Sequence, residues 1–118
     1  MRNGFYSIKR VVQEGADEEA FGVAILVHFK DGRFIGVDQG GCTLSGIFET
    51  RPDGSAAVRL LYAFHSGTEL PNGTVLEADT SIRSEFILDA NAAEGVPQNV
   101  DFGVGPVLIR FDWLAEPA

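Results

Sequence analysis

The chain has 118 residues, 45% of them hydrophobic and 22% charged, which fits one globular domain over residues 1–118 and excludes a disordered, collagen-like or coiled-coil chain. Seventeen Asp and Glu outweigh nine Lys and Arg, so the formal net charge of -8 repels phosphate backbones and predicts no nucleic-acid partner. A single cysteine excludes an internal disulfide, and no apolar window is long enough for a membrane helix, so we expect a cytoplasmic protein without a membrane partner.

Alternation of apolar and polar residues predicts strands from the start of the chain. A first strand is expected around Tyr6 and Ile8, and a second over residues 20–30, where bulky residues occupy every other position. The pair Asp31-Gly32 is typical of a two-residue hairpin turn, after which residues 33–39 run back. Two glycines at 40–41 predict the next reversal.

The middle of the chain continues the pattern. Residues 42–49 alternate with Cys42 on the bulky face, and the turn residues at 51–54 separate them from a strand over 56–64. Residues 76–88 alternate over thirteen positions, which exceeds the usual strand length. We expect a bulge near Thr80-Ser81 that bends the strand, or two strands that turn a corner.

The end of the chain holds the one helix candidate, one or two helical turns within residues 89–99, with Asp89 or Asn91 as the cap and Pro97 at the end. A last strand is predicted over 107–114. Seven or eight strands joined by short reversals predict an all-β antiparallel meander. We expect this meander to close into a small up-and-down barrel, with a Greek-key sandwich as the second choice.

The residues that carry chemistry are few. His28 and His65 lie on the less apolar faces of their strands, and Cys42 lies on a bulky face, so we predict no catalytic residue and no enzyme activity. One cysteine and two separated histidines cannot form a zinc site of the usual kind, and no acidic loop has calcium spacing, so we expect no metal and no cofactor.

The interior of such a barrel offers a second kind of site. About eight strands enclose a lumen that side chains can fill or that can hold one small apolar ligand. The candidate residues for contact with such a ligand are Tyr6, Phe48, Tyr62 and Phe64. A packed core accounts for the same residues, so both interpretations stay open.

Three segments, NGFYSIKR, FGVAILVHFKDGRFIGVDQGG and LSGIFE, resemble the GrlR-like family of small bacterial proteins. The family pattern has a G-x-Y-S opening, a G-V-x-x-L strand, a D-G-R hairpin and a Y-x-G-x-aromatic strand, and the match runs from Gly4 to Phe48. The resemblance implies a lipocalin-type, calycin-like barrel. It also implies a negative regulator that binds a transcriptional activator protein, with a homodimer as its assembly.

The resemblance also suggests where a partner would bind. In that family an acidic run follows the Y-x-G-x-aromatic strand; here the corresponding turn keeps Glu49 and Asp53, while Arg51 opposes them. We therefore expect a non-enzymatic regulatory protein that binds a protein partner through Glu49 and Asp53. Binding of a small apolar ligand in the lumen is the alternative, and an enzyme of unknown chemistry is the third.

Overall fold

The computed structural model describes residues 1–11, 25–70, 73–103 and 105–116, which form one antiparallel sheet that closes almost completely into a barrel. Its described strands are β1 (Gly4–Arg10), β2 (Ile25–Lys30), β3 (Arg33–Val37), β4 (Thr43–Thr50), β5 (Ala56–Phe64), β6 (Thr80–Leu88), β7 (Gln98–Asp101) and β8 (Pro106–Ala115). The spatial order is β6-β5-β4-β3-β2-β1-β8-β7, so neighbours in sequence are mostly neighbours in space. The predicted all-β meander barrel is confirmed, and the Greek-key alternative is wrong.

The hairpin between β2 and β3 confirms the strongest local signal in the sequence. Asp31 and Gly32 have φ angles of 51° and 81°, the left-handed pair that a tight turn between two twisted strands requires. The turn places Lys30 directly opposite Arg33. The predicted residues 20–24 of the second strand lie outside the described residues.

The long strand predicted over residues 76–88 is shorter than expected. Residues 67–70 pair with residues 73–76 instead: the amide of Gly67 donates to the carbonyl of Leu76, and the amide of Leu76 donates to the carbonyl of Thr68. The Asp79 carboxylate then accepts the amide of Ser66 at 2.9 Å, and β6 begins only at Thr80. Local hydrogen bonds therefore end the strand where alternation alone continues it.

The short helix predicted within residues 89–99 is confirmed. It consists of one 3-10 turn, Ala92–Glu94, and the side chain of Asn91 makes no capping hydrogen bond to it. Residues 98–101 form the short strand β7, which the sequence prediction missed because four residues are too few to show a period.

Aromatic side chains on the inward face fill the barrel. Phe29 lies at their centre, with ring-centroid distances of 5.1 Å to Phe34, 5.2 Å to Phe48 and 5.3 Å to Tyr6. Most of these pairs meet edge to face, an arrangement that adds about 1 kcal/mol per pair to the burial of the rings. A second group of ring contacts centres on Tyr62 and Phe102, and both groups belong to one buried hydrophobic core.

The barrel closes between β6 and β7 through side chains, because no backbone ladder joins these two strands in the described part of the chain. The rings of Phe86 and Phe102 meet edge to face at 5.7 Å. Gln98, only 4% exposed, accepts the amide of Asp89 at 2.8 Å and donates to the carbonyl of Val96 at 3.0 Å. We call this junction the seam.

Gly46 in β4 allows a close approach that no other residue permits. A Cβ atom at this position would overlap the carbonyl oxygen of Arg59 on β5 and would lie 2.8 Å from Cζ of Phe34. The missing side chain therefore lets β4 and Phe34 pack tightly.

We expect Gly46→Ala to destabilise the protein by about 3 kcal/mol, because the added methyl group would clash with the backbone carbonyl of Arg59. Gly40→Ala is the matched control, since its Cβ would come no closer than 3.5 Å to a neighbouring atom. Urea unfolding of both variants measures the difference. Equal stability of the two variants would contradict the packing described at Gly46.

We expect Gln98→Leu to cost about 2 kcal/mol, because it removes the hydrogen bonds of a buried amide side chain and leaves the backbone amide of Asp89 without its acceptor. Asn99→Leu, one residue along the same strand and exposed, should change stability by less than about 0.5 kcal/mol. The same unfolding measurement applies, and a Gln98→Leu variant as stable as its control would show that the seam does not depend on this side chain.

Candidate functional site

The four residues predicted to contact a ligand in the lumen all lie in the core. Tyr6, Phe48, Tyr62 and Phe64 are at most 8% exposed and point inward. The cavity inside the barrel has a volume of about 20 Å³, which is room for about one water molecule. A role for these residues in binding a ligand stays a prediction, and in this structure they pack against other side chains.

Both buried tyrosine hydroxyls have partners. Tyr6 donates its hydroxyl hydrogen to the carbonyl of Arg2, and Tyr62 donates to Oδ2 of Asp38 at 2.6 Å. Burial raises the pKa of Tyr6 to about 12, and burial together with the Asp38 carboxylate raises the pKa of Tyr62 further. These hydrogen bonds satisfy both buried phenol groups, so the two tyrosines have a structural role.

The glycine-rich corner between β3 and β4 is held by Asp38, a residue that the sequence analysis did not single out. Its Oδ1 accepts the amide of Cys42 at 2.9 Å, and its Oδ2 accepts the hydroxyl of Tyr62. The sulfur of Cys42 accepts the amide of His65 at 3.4 Å and lies 3.6 Å from Oγ1 of Thr68. The corner is therefore a hydrogen-bonded junction of three segments of the chain.

The two histidines make contacts of a structural kind. Nε2 of His65 lies 3.0 Å from the carbonyl oxygen of Gly41, and the ring of His28 stacks on Phe5 with a centroid distance of 4.4 Å. Among the described residues, no three His, Cys, Asp or Glu side chains come together as a metal site would need. In the same part of the chain, no helix has the length and apolar character to cross a bilayer.

The acidic turn that the resemblance suggested lies at the β4–β5 hairpin. Asp53 accepts the amide of Ser55 at 2.9 Å and its hydroxyl at 2.6 Å, and these hydrogen bonds to Ser55 lower the pKa of the Asp53 carboxyl. Glu49 is exposed at the end of β4, opposite Ala57. Asp53 therefore has a part in the turn itself, while Glu49 stays available; a role in partner binding stays a prediction for both.

A wide concave surface lies on the outside of the barrel. Two depressions, of about 640 Å³ and 390 Å³, meet at Ser45 and Gly46 on the outward side of β2–β6, and we call them together the outer groove. The outward side chains that line it are His28, Lys30, Arg33, Ile35, Ser45, Ile47, Arg59, Leu61, Arg83 and Glu85.

The outer groove has an exposed apolar centre. Ile35 is 64% exposed and Ile47 is 49% exposed, and the neighbouring Leu26 and Val37 on the same face are more than 40% exposed. Single exposed apolar residues are common on soluble proteins, whereas a cluster on one sheet face is typical of an interaction surface. The sequence analysis missed this cluster because strand register, not spacing along the chain, brings it together.

Comparisons with known proteins identify no relative: no family model, no curated protein and no solved structure matches this chain. The barrel therefore rests on the structure alone, and membership of the GrlR-like family stays a prediction.

We expect neither tyrosine to titrate at its ordinary pKa near 10 while the protein is folded. Above about pH 10 the unfolded chain loses phenolic protons that the folded chain keeps, so the free energy of unfolding should fall as the pH rises toward 12. Absorbance at the tyrosinate band measures the first effect, and urea unfolding at several pH values measures the second. Tyr62→Phe should make the fall less steep. Half of the tyrosinate signal appearing near pH 10 in folded protein would contradict the burial of these hydroxyls.

Proposed function

We propose that this protein is a non-enzymatic interaction module that binds another protein through the outer groove of its barrel. The exposed apolar cluster around Ile35 and Ile47 is the observation on which this proposal depends. A regulatory role, in which the bound partner is a transcription regulator, follows from the resemblance to the GrlR-like family and is part of the proposal.

The packing of the interior supports a site on the outside. The lumen has room for about one water molecule, so a bound ligand would have to displace side chains such as Phe29 and Phe102 from the core. Contact through the outer groove requires no such rearrangement, because its side chains already face solvent.

Alternation within the strands supports the same conclusion. Ile35 and Ile47 lie on the outward positions of β3 and β4, where polar residues would satisfy the fold equally well. The fold itself gains little from apolar side chains at these positions, since they remain about half exposed or more. Burial of both by a partner would stabilise a complex by about 1 to 3 kcal/mol for each side chain.

Glu49 extends this surface toward the predicted acidic turn. It occupies the next outward position after Ile47 on β4, so a partner seated over Ile47 can reach it. Asp53 is further along the chain and bonds to Ser55. We therefore include Glu49 at the margin of the proposed contact surface. Asp53 mainly stabilises the turn.

A photoreactive phenylalanine analogue at position 35 or 47 tests the proposal in cells of the natural host. We expect the same protein to be crosslinked from both positions. The matched control is position 108 on β8, which is 38% exposed and four strands away from β4 in the sheet order. Crosslinks from position 108 alone, or the absence of any protein adduct from 35 and 47, would contradict the proposed binding face.

A further inference from the structure

The outer groove is a positively charged surface on an acidic protein. Four of the nine Lys and Arg residues line it, whereas Glu85 is the one carboxylate of the described residues that does so. The four cations are Lys30, Arg33, Arg59 and Arg83. A groove of net positive charge on a chain of formal charge -8 is a local feature that the overall charge conceals.

Three of these cations have no ionic partner among the described residues. Arg59 pairs with Glu85 at 3.2 Å, while Lys30, Arg33 and Arg83 form no salt bridge in the part of the chain that the structure describes. Lys30 and Arg33 are moreover directly opposite each other across the β2–β3 ladder, a placement of like charges that destabilises a sheet. The fold thus holds a repulsive pair whose charges a ligand of opposite sign would neutralise.

We propose that the outer groove binds an acidic segment of a partner protein, whose carboxylates meet these cations on either side of one or two apolar side chains. This inference rests on the proposed function and specifies the chemistry of the partner. Carboxylates would pair with Lys30 and Arg33 at one end and with Arg83 at the other, and the apolar side chains would cover Ile35 and Ile47.

The register of the sheet sets the spacing that such a segment needs. The outward positions run in rows across the strands, so Ile35, Ser45, Leu61 and Arg83 follow one another from β3 to β6. Three strand spacings separate β3 from β6, which is about 14 Å. An extended peptide covers this distance in about four residues, so acidic residues four apart match the groove.

Other anionic partners fit the groove less well. A nucleic acid or an anionic membrane would bring a long array of charge against a protein of formal charge -8, and the groove lacks exposed aromatic rings on which bases could stack. A short acidic segment experiences mainly the local field, because charges more than about 8 Å away are largely screened at physiological salt.

A second copy of this chain is also a poor occupant. In a two-fold dimer each groove would face its own copy, which would place the cations of one copy against those of the other. The arrangement of charge therefore favours a partner with a different sequence.

Fluorescence anisotropy with three labelled peptides tests the inference on the full-length protein. The acidic probe is Glu-Glu-Leu-Ser-Leu-Glu-Glu, and the controls replace every Glu by Gln or by Lys. We expect the acidic peptide to bind at least about tenfold more tightly than the Gln peptide, and its affinity to fall as salt rises, because these charges steer and hold the peptide. The Lys peptide should not bind.

Charge reversal tests the assignment to the groove. We expect Arg33→Glu combined with Arg83→Glu to weaken binding of the acidic peptide by at least about tenfold, and Arg51→Glu, an exposed arginine outside the groove, to change it by less than about twofold. Arg33→Glu alone should not lower stability, since it replaces a repulsive pair with Lys30 by an attractive one. The milder pair Arg33→Gln and Arg83→Gln serves if the reversed protein does not fold.

The outcomes separate this inference from the proposed function. Equal affinity for the acidic and Gln peptides, or no effect of charge reversal, would overturn the acidic partner, while crosslinking at positions 35 and 47 would still support a protein-binding face. Tighter binding of a single-stranded DNA or of anionic vesicles than of the acidic peptide would also overturn it. Absence of binding by all three peptides at millimolar concentration would count against the inference as well.

Discussion

The aromatic cluster around Phe29 is the constraint on which the rest of the structure depends. Its rings fill the interior of the barrel. Phe29 on β2 contacts aromatic rings from β3 and β4 on one side and from β8 on the other. β6 and β7 share no backbone ladder in the described part of the chain. The contact between Phe86 and Phe102, which belongs to the same hydrophobic core, therefore holds the two end strands together. Gln98 adds one hydrogen bond across the seam, because its side chain accepts the amide of Asp89 just after β6.

Because side chains fill the interior, we propose that the binding site is on the outer surface of the barrel. The same alternation that sends Phe34 and Phe48 inward sends Ile35 and Ile47 outward, so the core and the outer groove are two faces of the same strands. The close approach permitted at Gly46 lies between them. Changes to the core packing of β3 and β4 would therefore also move the side chains that we propose to contact a partner.

Alternation and turn chemistry were sufficient to predict much of this fold. The strand at 56–64 and the Asp31-Gly32 hairpin are confirmed because each is encoded locally, by period-two burial and by a pair of residues that accept positive φ. β7 was missed because it is short. The start of β6 was misplaced because hydrogen bonds among the residues just before it, such as those of Ser66 with Asp79 and Leu76 with Thr68, compete with the alternating pattern.

The candidate site was harder to predict because it depends on register. Lys30 and Arg33 are close in the sequence, but Arg83 joins them only through the pairing of four strands. The hydrogen bond from Tyr62 to Asp38 likewise joins residues that are far apart in the sequence, and no sequence pattern relates them. Burial from alternation was therefore predictable, whereas the arrangement of charges on the outward face was not.

Amide chemical-shift mapping by NMR, with the acidic peptide titrated into isotope-labelled protein, tests the central claim most directly. We predict that the largest shifts fall on β3, β4 and β5 around Ile35, Ser45 and Ile47, and that the amides of β7 at the seam stay unchanged. Shifts concentrated at the seam and the inward-facing residues, such as Val100 and Phe102, would contradict it, since they would show that ligands enter the barrel instead of binding to its outer surface.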